Sequence, residues 1–126
     1  MPRILLIDDN GPLRRTLEKV LQRNGYQVQV AADGGAALKL FVQQPFDLVI
    51  TDLIMPGKEG LETIIELRHL QPALKVIAMS GGGLGNAGDY LAMARTLGAT
   101  HALAKPFPYS QLLETVAREL GGGPCL

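Results

Sequence analysis

Residues 47–60 read "DLVITDLIMPGKEG". Leu48, Val49 and Ile50 have the unbroken apolar character of a strand buried on both faces. The run stops at a carboxylate, Asp52, before apolar residues resume at Leu53, Ile54 and Met55. Taking an ionised carboxylate out of water without a compensating partner is expensive. The segment therefore predicts a central strand that delivers Asp52 to a place where something offsets its charge.

The same unit recurs on either side of this stretch. Short apolar runs near 3–7, 27–31, 47–51, 74–79 and 100–104 alternate with helical patterns near 12–24, 34–44, 59–70, 87–97 and 108–120. The first helical pattern carries a stripe of Leu13, Leu17, Val20 and Leu21, opens at Pro12 and stops at Asn24-Gly25, where a glycine suits a left-handed cap. The last keeps Tyr109, Leu112, Leu113, Val116, Ala117 and Leu120 on one face. Five β-α units in succession imply an α/β fold with a parallel sheet, right-handed crossovers and helices on both faces. In "YQVQVA", Tyr26, Val28 and Val30 alternate with Gln27 and Gln29, the pattern of a strand buried on one face only. That makes the second strand an edge and the first and third central. This is consistent with the strand order 2-1-3-4-5, a flavodoxin-like doubly wound arrangement, in which the ligand crevice lies beyond the carboxyl ends of strands one and three.

Composition sets the bounds. The chain has 126 residues, 47% of them hydrophobic, enough for one core. We expect one domain over 1–121 and a flexible tail over 122–126. Twelve basic and twelve acidic residues give zero formal net charge, which argues against a broad nucleic-acid or membrane surface. No apolar run approaches the roughly 20 residues needed to span a bilayer. Met1-Pro2-Arg3 leads into a four-residue apolar run and not into a longer secretory segment, so a cytoplasmic location is expected. The single cysteine, Cys125, excludes a disulfide framework and a cysteine-based metal site. These features favour a protein partner.

The strand ends carry the chemistry. Asp8-Asp9 follows the first strand, Asp52 the third, Ser80 the fourth and Lys105 the fifth, so all five side chains gather at one end of the sheet. Taken singly, most have an ordinary explanation. Acids favour helix N-termini, a serine before "GGG" suits a loop, and lysines are usually exposed. Asp52 resists such a reading, because it follows a buried central strand at the switch point of the sheet. Three converging carboxylates repel one another and need a cation, and a small set of hard oxygen ligands suits Mg²⁺. A lysine and a hydroxyl beside that metal are suited to holding phosphoryl oxygens, and Asp52 then has the surroundings of a nucleophile.

With "LLIDDN", "DLVITDLIMPGKEG", "VIAMSGG" and "ALAKPF" in order at four strand ends, the chain resembles the receiver domain of bacterial two-component response regulators, as in stand-alone chemotaxis-type regulators. The resemblance spans residues 3 to about 120. It implies that Asp52 accepts a phosphoryl group from a phosphohistidine of a sensor histidine kinase or a histidine phosphotransfer protein. It further implies that Asp8, Asp9, Asp52 and the backbone carbonyl of Ile54 serve the Mg²⁺, and that Ser80 and Lys105 grip phosphoryl oxygens. The Lys105-Pro106 peptide is expected to be cis. Such a chain is a phosphoryl acceptor more than an enzyme, catalysing only its own phosphorylation and dephosphorylation. With no length left for an output domain, it is expected to signal through contacts with an unknown downstream protein, without direct DNA binding or membrane insertion.

The sequence departs from that family at one place. Such regulators often carry an aromatic residue three positions before the lysine, and here that residue is Ala102, with His101 on the opposite face of the strand. The loop "SGGGLGNAG" is read as a connector or a mobile gate. A phosphatase with an aspartyl nucleophile would want a second acid at the position of Ile54. A nucleotide or flavin module would want a phosphate-binding loop where "DDNGPLRR" places acids. The remaining alternative is a receiver that docks its partners without being phosphorylated.

Overall fold

The computed structural model describes residues 2–52, 60–80, 101–104 and 107–120. In chain order these form β1 (Arg3–Ile7), α1 (Gly11–Arg23), β2 (Gln27–Ala31), α2 (Gly34–Gln43), β3 (Leu48–Asp52), α3 (Gly60–Leu70), β4 (Lys75–Ser80), β5 (His101–Ala104) and α4 (Tyr109–Glu119). The helix expected over 87–97, the Lys105-Pro106 peptide, the glycine-rich stretch after Ser80 and the tail over 122–126 lie outside the described residues.

Local chemistry sets the helix ends. The Asn10 side chain caps α1 by accepting from the Leu13 N–H at 3.1 Å, and Pro12 sits in the first turn, where its missing donor costs nothing. The helix stops where Gly25 takes φ +92°, a left-handed conformation that penalises any L side chain by about 1–2 kcal/mol even where space is open. Asp33 caps α2 in the same manner, accepting from the Ala36 N–H at 2.8 Å.

The five strands form one parallel sheet in the order β2-β1-β3-β4-β5. Alternation along the strands divides the core into two layers. Leu5, Ile7, Val49, Val76 and Ala78 face Ala37 and Phe41 of α2 and Ile64 and Leu67 of α3. Ile4, Leu6, Leu48, Ile50, Ile77, Met79 and Leu103 face Leu17 and Leu21 of α1 and Leu112 and Val116 of α4. β2 is the edge expected of "YQVQV", with Gln27 and Gln29 exposed and Val28 and Val30 half-buried. Among the described residues no helix is long and apolar enough to cross a membrane.

Two expectations need correction. Asp52 does not follow β3 but is its last residue, paired in register with Met79 of β4, because the ladder to the central neighbour continues through it. Tyr109 does not belong to the buried face of the last helix: as the first residue of α4 it lies beyond the packed turns and is 45% exposed. Glu119, at the other end of that helix, is buried, its Oε1 against Nδ1 of His101. His101 shares a face with Leu103, so it points toward α4 while Ala102 points the other way, as expected.

Candidate functional site

Strand register brings the acids together. Ile7 is level with Thr51, so one residue further on Asp8 comes level with Asp52 across the central pair of strands. Asp8 is fully buried, Asp52 is 7% exposed, and Asp9 faces solvent. Each offers a carboxylate oxygen, and the three oxygens lie within 4.8 Å of one another. The crevice is therefore walled by two buried carboxylates and opened by one that water can reach.

The surrounding backbone holds these groups in place. The Asp8 N–H donates to the Ala31 carbonyl at 3.1 Å, its Oδ1 accepts from the Asn10 N–H at 2.9 Å, and its carbonyl accepts from Nη1 of Arg14 at 2.7 Å. On the neighbouring strand the buried Thr51 hydroxyl donates to the Asp52 carbonyl at 3.0 Å. Like charges gathered at this range are stable together when a cation joins them, and oxygen donors of this kind fit a hard divalent ion such as Mg²⁺. The donor set present thus has the chemistry such a metal needs.

The remaining expected site residues are placed in part. Ser80 ends β4, one residue past the partner of Asp52, and its backbone pairs with Ala104, the last residue of β5. The fourth and fifth strands therefore finish at the same end of the sheet as the acids. Lys105, next in sequence after Ala104, and Ile54, expected to contribute its carbonyl, lie outside the described residues. Arg14 escaped the sequence reading, because no periodic pattern marks an arginine that reaches back six residues to a carbonyl. Asn10 carried a usable signal: an asparagine just before a proline-initiated apolar stripe is a cap. A cavity of about 430 Å³ lined by Arg3, Gln22, Tyr26 and Phe46 includes the first residues of β1 and β2 and so belongs to the opposite end of the sheet.

Comparison with known proteins gives a consistent picture. Residues 4–117 match the family model described as the response regulator receiver domain. The sporulation initiation phosphotransferase F of Bacillus subtilis is 31% identical over 118 residues, covering 94% of this chain and 93% of that protein. The transcriptional activator protein PfeR of Pseudomonas aeruginosa is 38% identical over 111 residues, and there the match covers 88% of this chain but 35% of the relative. Among solved structures, the response regulator protein TrrA of Thermotoga maritima, in complex with Mg(2+)-BeF, superposes with a TM-score of 0.83 at 33% identity, covering 94% of this chain and 99% of that one.

Proposed function

Since the chain belongs to the response regulator receiver domain family of two-component systems, we propose that Asp52 accepts a phosphoryl group from a phosphohistidine of a sensor histidine kinase or a histidine phosphotransfer protein. The observation that carries this reading is the meeting of Asp8, Asp9 and Asp52 within 4.8 Å at the carboxyl ends of β1 and β3. Asp52 is the acceptor because it alone of the three is built into a central strand and yet keeps a slight opening to solvent. An oxygen of its carboxylate attacks phosphorus in line, and the bond from phosphorus to the donor imidazole breaks.

Asp8, Asp9, Asp52 and the carbonyl of Ile54 hold Mg²⁺ in this reading. When bound, the ion neutralises charge on the transferring phosphoryl oxygens. Ser80 and Lys105 hold the remaining oxygens, since a hydroxyl and an ammonium complement them. The product is a mixed anhydride on Asp52, read out by a partner protein through surface contacts. We propose 1–121 as the functional unit, acting in the cytoplasm without direct DNA contact and catalysing no reaction beyond its own phosphorylation and dephosphorylation.

Incubation with a small acyl phosphate donor, with Mg²⁺ and with excess chelator, tests the reading. We expect phosphoprotein to accumulate with the metal and not with the chelator. Because only the folded chain assembles the site, Mg²⁺ at about 100 times its Kd is expected to stabilise the native state by about 2.7 kcal/mol. A thermal midpoint unmoved by Mg²⁺, together with no incorporation, would favour a module that docks its partners without phosphorylation.

A further inference from the structure

Arg14 sits where a cation is unwelcome. It is the fourth residue of α1, a helix with no acid in its first turn, and Arg15 follows it. The positive end of a helix favours anions, so two successive arginines there run against the dipole. Arg14 is nevertheless half-buried, and its Nη1 donates to the Asp8 carbonyl at 2.7 Å. That is the length of a charge-assisted bond, made by a planar group whose geometry leaves little freedom to its acceptor.

The acceptor is informative. The Asp8 N–H still belongs to the sheet, donating to Ala31, but the Asp8 carbonyl belongs to the next peptide plane, the one that joins Asp8 to Asp9. Holding that plane orients both residues at once, while the Asn10 N–H holds the Asp8 carboxylate. We propose that Arg14 is a positioning residue for the acidic site: its bond to the Asp8 carbonyl sets Asp8 and Asp9 at the spacing from Asp52 that a divalent cation needs. The proposal rests on the reading of the three acids as a Mg²⁺ centre.

The sign of the effect separates this role from simple charge balance. If Arg14 acted only as a positive charge beside the acids, it would compete with the cation, and its removal would tighten metal binding. As a positioning group it does the reverse. Removing partners that orient metal ligands typically weakens binding by about 10–100-fold.

The test is Mg²⁺ affinity measured by titration calorimetry on the whole chain, with metal-free stability followed separately by urea denaturation. Arg14→Ala is expected to raise the Mg²⁺ Kd by about tenfold. Arg14→Lys, which retains a donor on a long stem, is expected to recover most of the affinity. Arg15→Ala removes the same charge one residue along, from an exposed position, and is expected to bind no more weakly than the native chain. If Arg14→Ala does not fold, Arg14→Gln takes its place, because it keeps most of the stem but falls short of the carbonyl; the same loss is expected. A folded Arg14→Ala or Arg14→Gln chain that binds Mg²⁺ as well as the native chain or better would overturn the positioning role alone, and so would an equal loss in Arg15→Ala. A native chain that does not bind Mg²⁺ would overturn the reading of the site as well.

Discussion

Asp52→Asn is expected to abolish phosphoryl incorporation, from a small acyl phosphate and from a phosphohistidine donor alike. The amide has nearly the shape of the carboxylate but lacks the anionic oxygen that attacks phosphorus, so the loss should reach at least about a thousandfold. Asp8 and Asp9 are not positioned to replace it. Asp8 is fully buried with one oxygen engaged by the Asn10 N–H, and Asp9 lies outside the strand on the solvent side. The fold should survive, because β3 is held by its ladders to β1 and β4 and by apolar residues on both faces. Circular dichroism and a melting curve check that point, and phosphate yield checks the chemistry. A normal yield from a folded variant would remove Asp52 from the acceptor role.

Leu6→Ala is expected to cost about 3–4 kcal/mol, a large part of the stability of a small domain. Leu6 is fully buried on a central strand, in the layer that also holds Leu17 and Leu21 of α1 and Leu112 and Val116 of α4. Truncation leaves a cavity that a sheet bonded on both sides cannot close by moving. Val42, 68% exposed on α2, supplies the contrast. Val42→Ala should stay within about 0.5 kcal/mol of the native chain. Urea denaturation of the metal-free protein measures both. Equal costs at the two positions would contradict the layered core.

Much of this was legible in the residues themselves. Strands buried on both faces, such as Ile4–Ile7 and Leu48–Ile50, announce themselves as unbroken apolar runs, and the alternation in β2 marks its edge position. Those two patterns agree with the observed sheet order, which places Asp8, Asp9 and Asp52 at one end of the sheet. What stayed hidden depends on contacts between distant side chains. Glu119 lies three residues after Val116 and seven after Leu112, on the buried face, which hinted at a partner without identifying His101 eighteen residues away. The Lys75 ammonium, which donates to the Glu119 carbonyl, was equally beyond any local pattern. Tyr109 misled in the other direction, since helical spacing assigns a face but not whether the first turn reaches the core. The same limit applies to Arg14, whose role comes from a bond to a backbone carbonyl and not from its place in a motif.

The most direct measurement is chemical mapping of the modified residue. The protein is phosphorylated in Mg²⁺, the acyl phosphate is reduced with borohydride, and the chain is digested and sequenced by tandem mass spectrometry. Reduction converts a phosphorylated aspartate to homoserine and leaves free carboxylates unchanged. Homoserine is expected at position 52, with aspartate intact at 8 and 9. Homoserine at position 8 or 9, or phosphate that resists borohydride and maps to a hydroxyl, would contradict it.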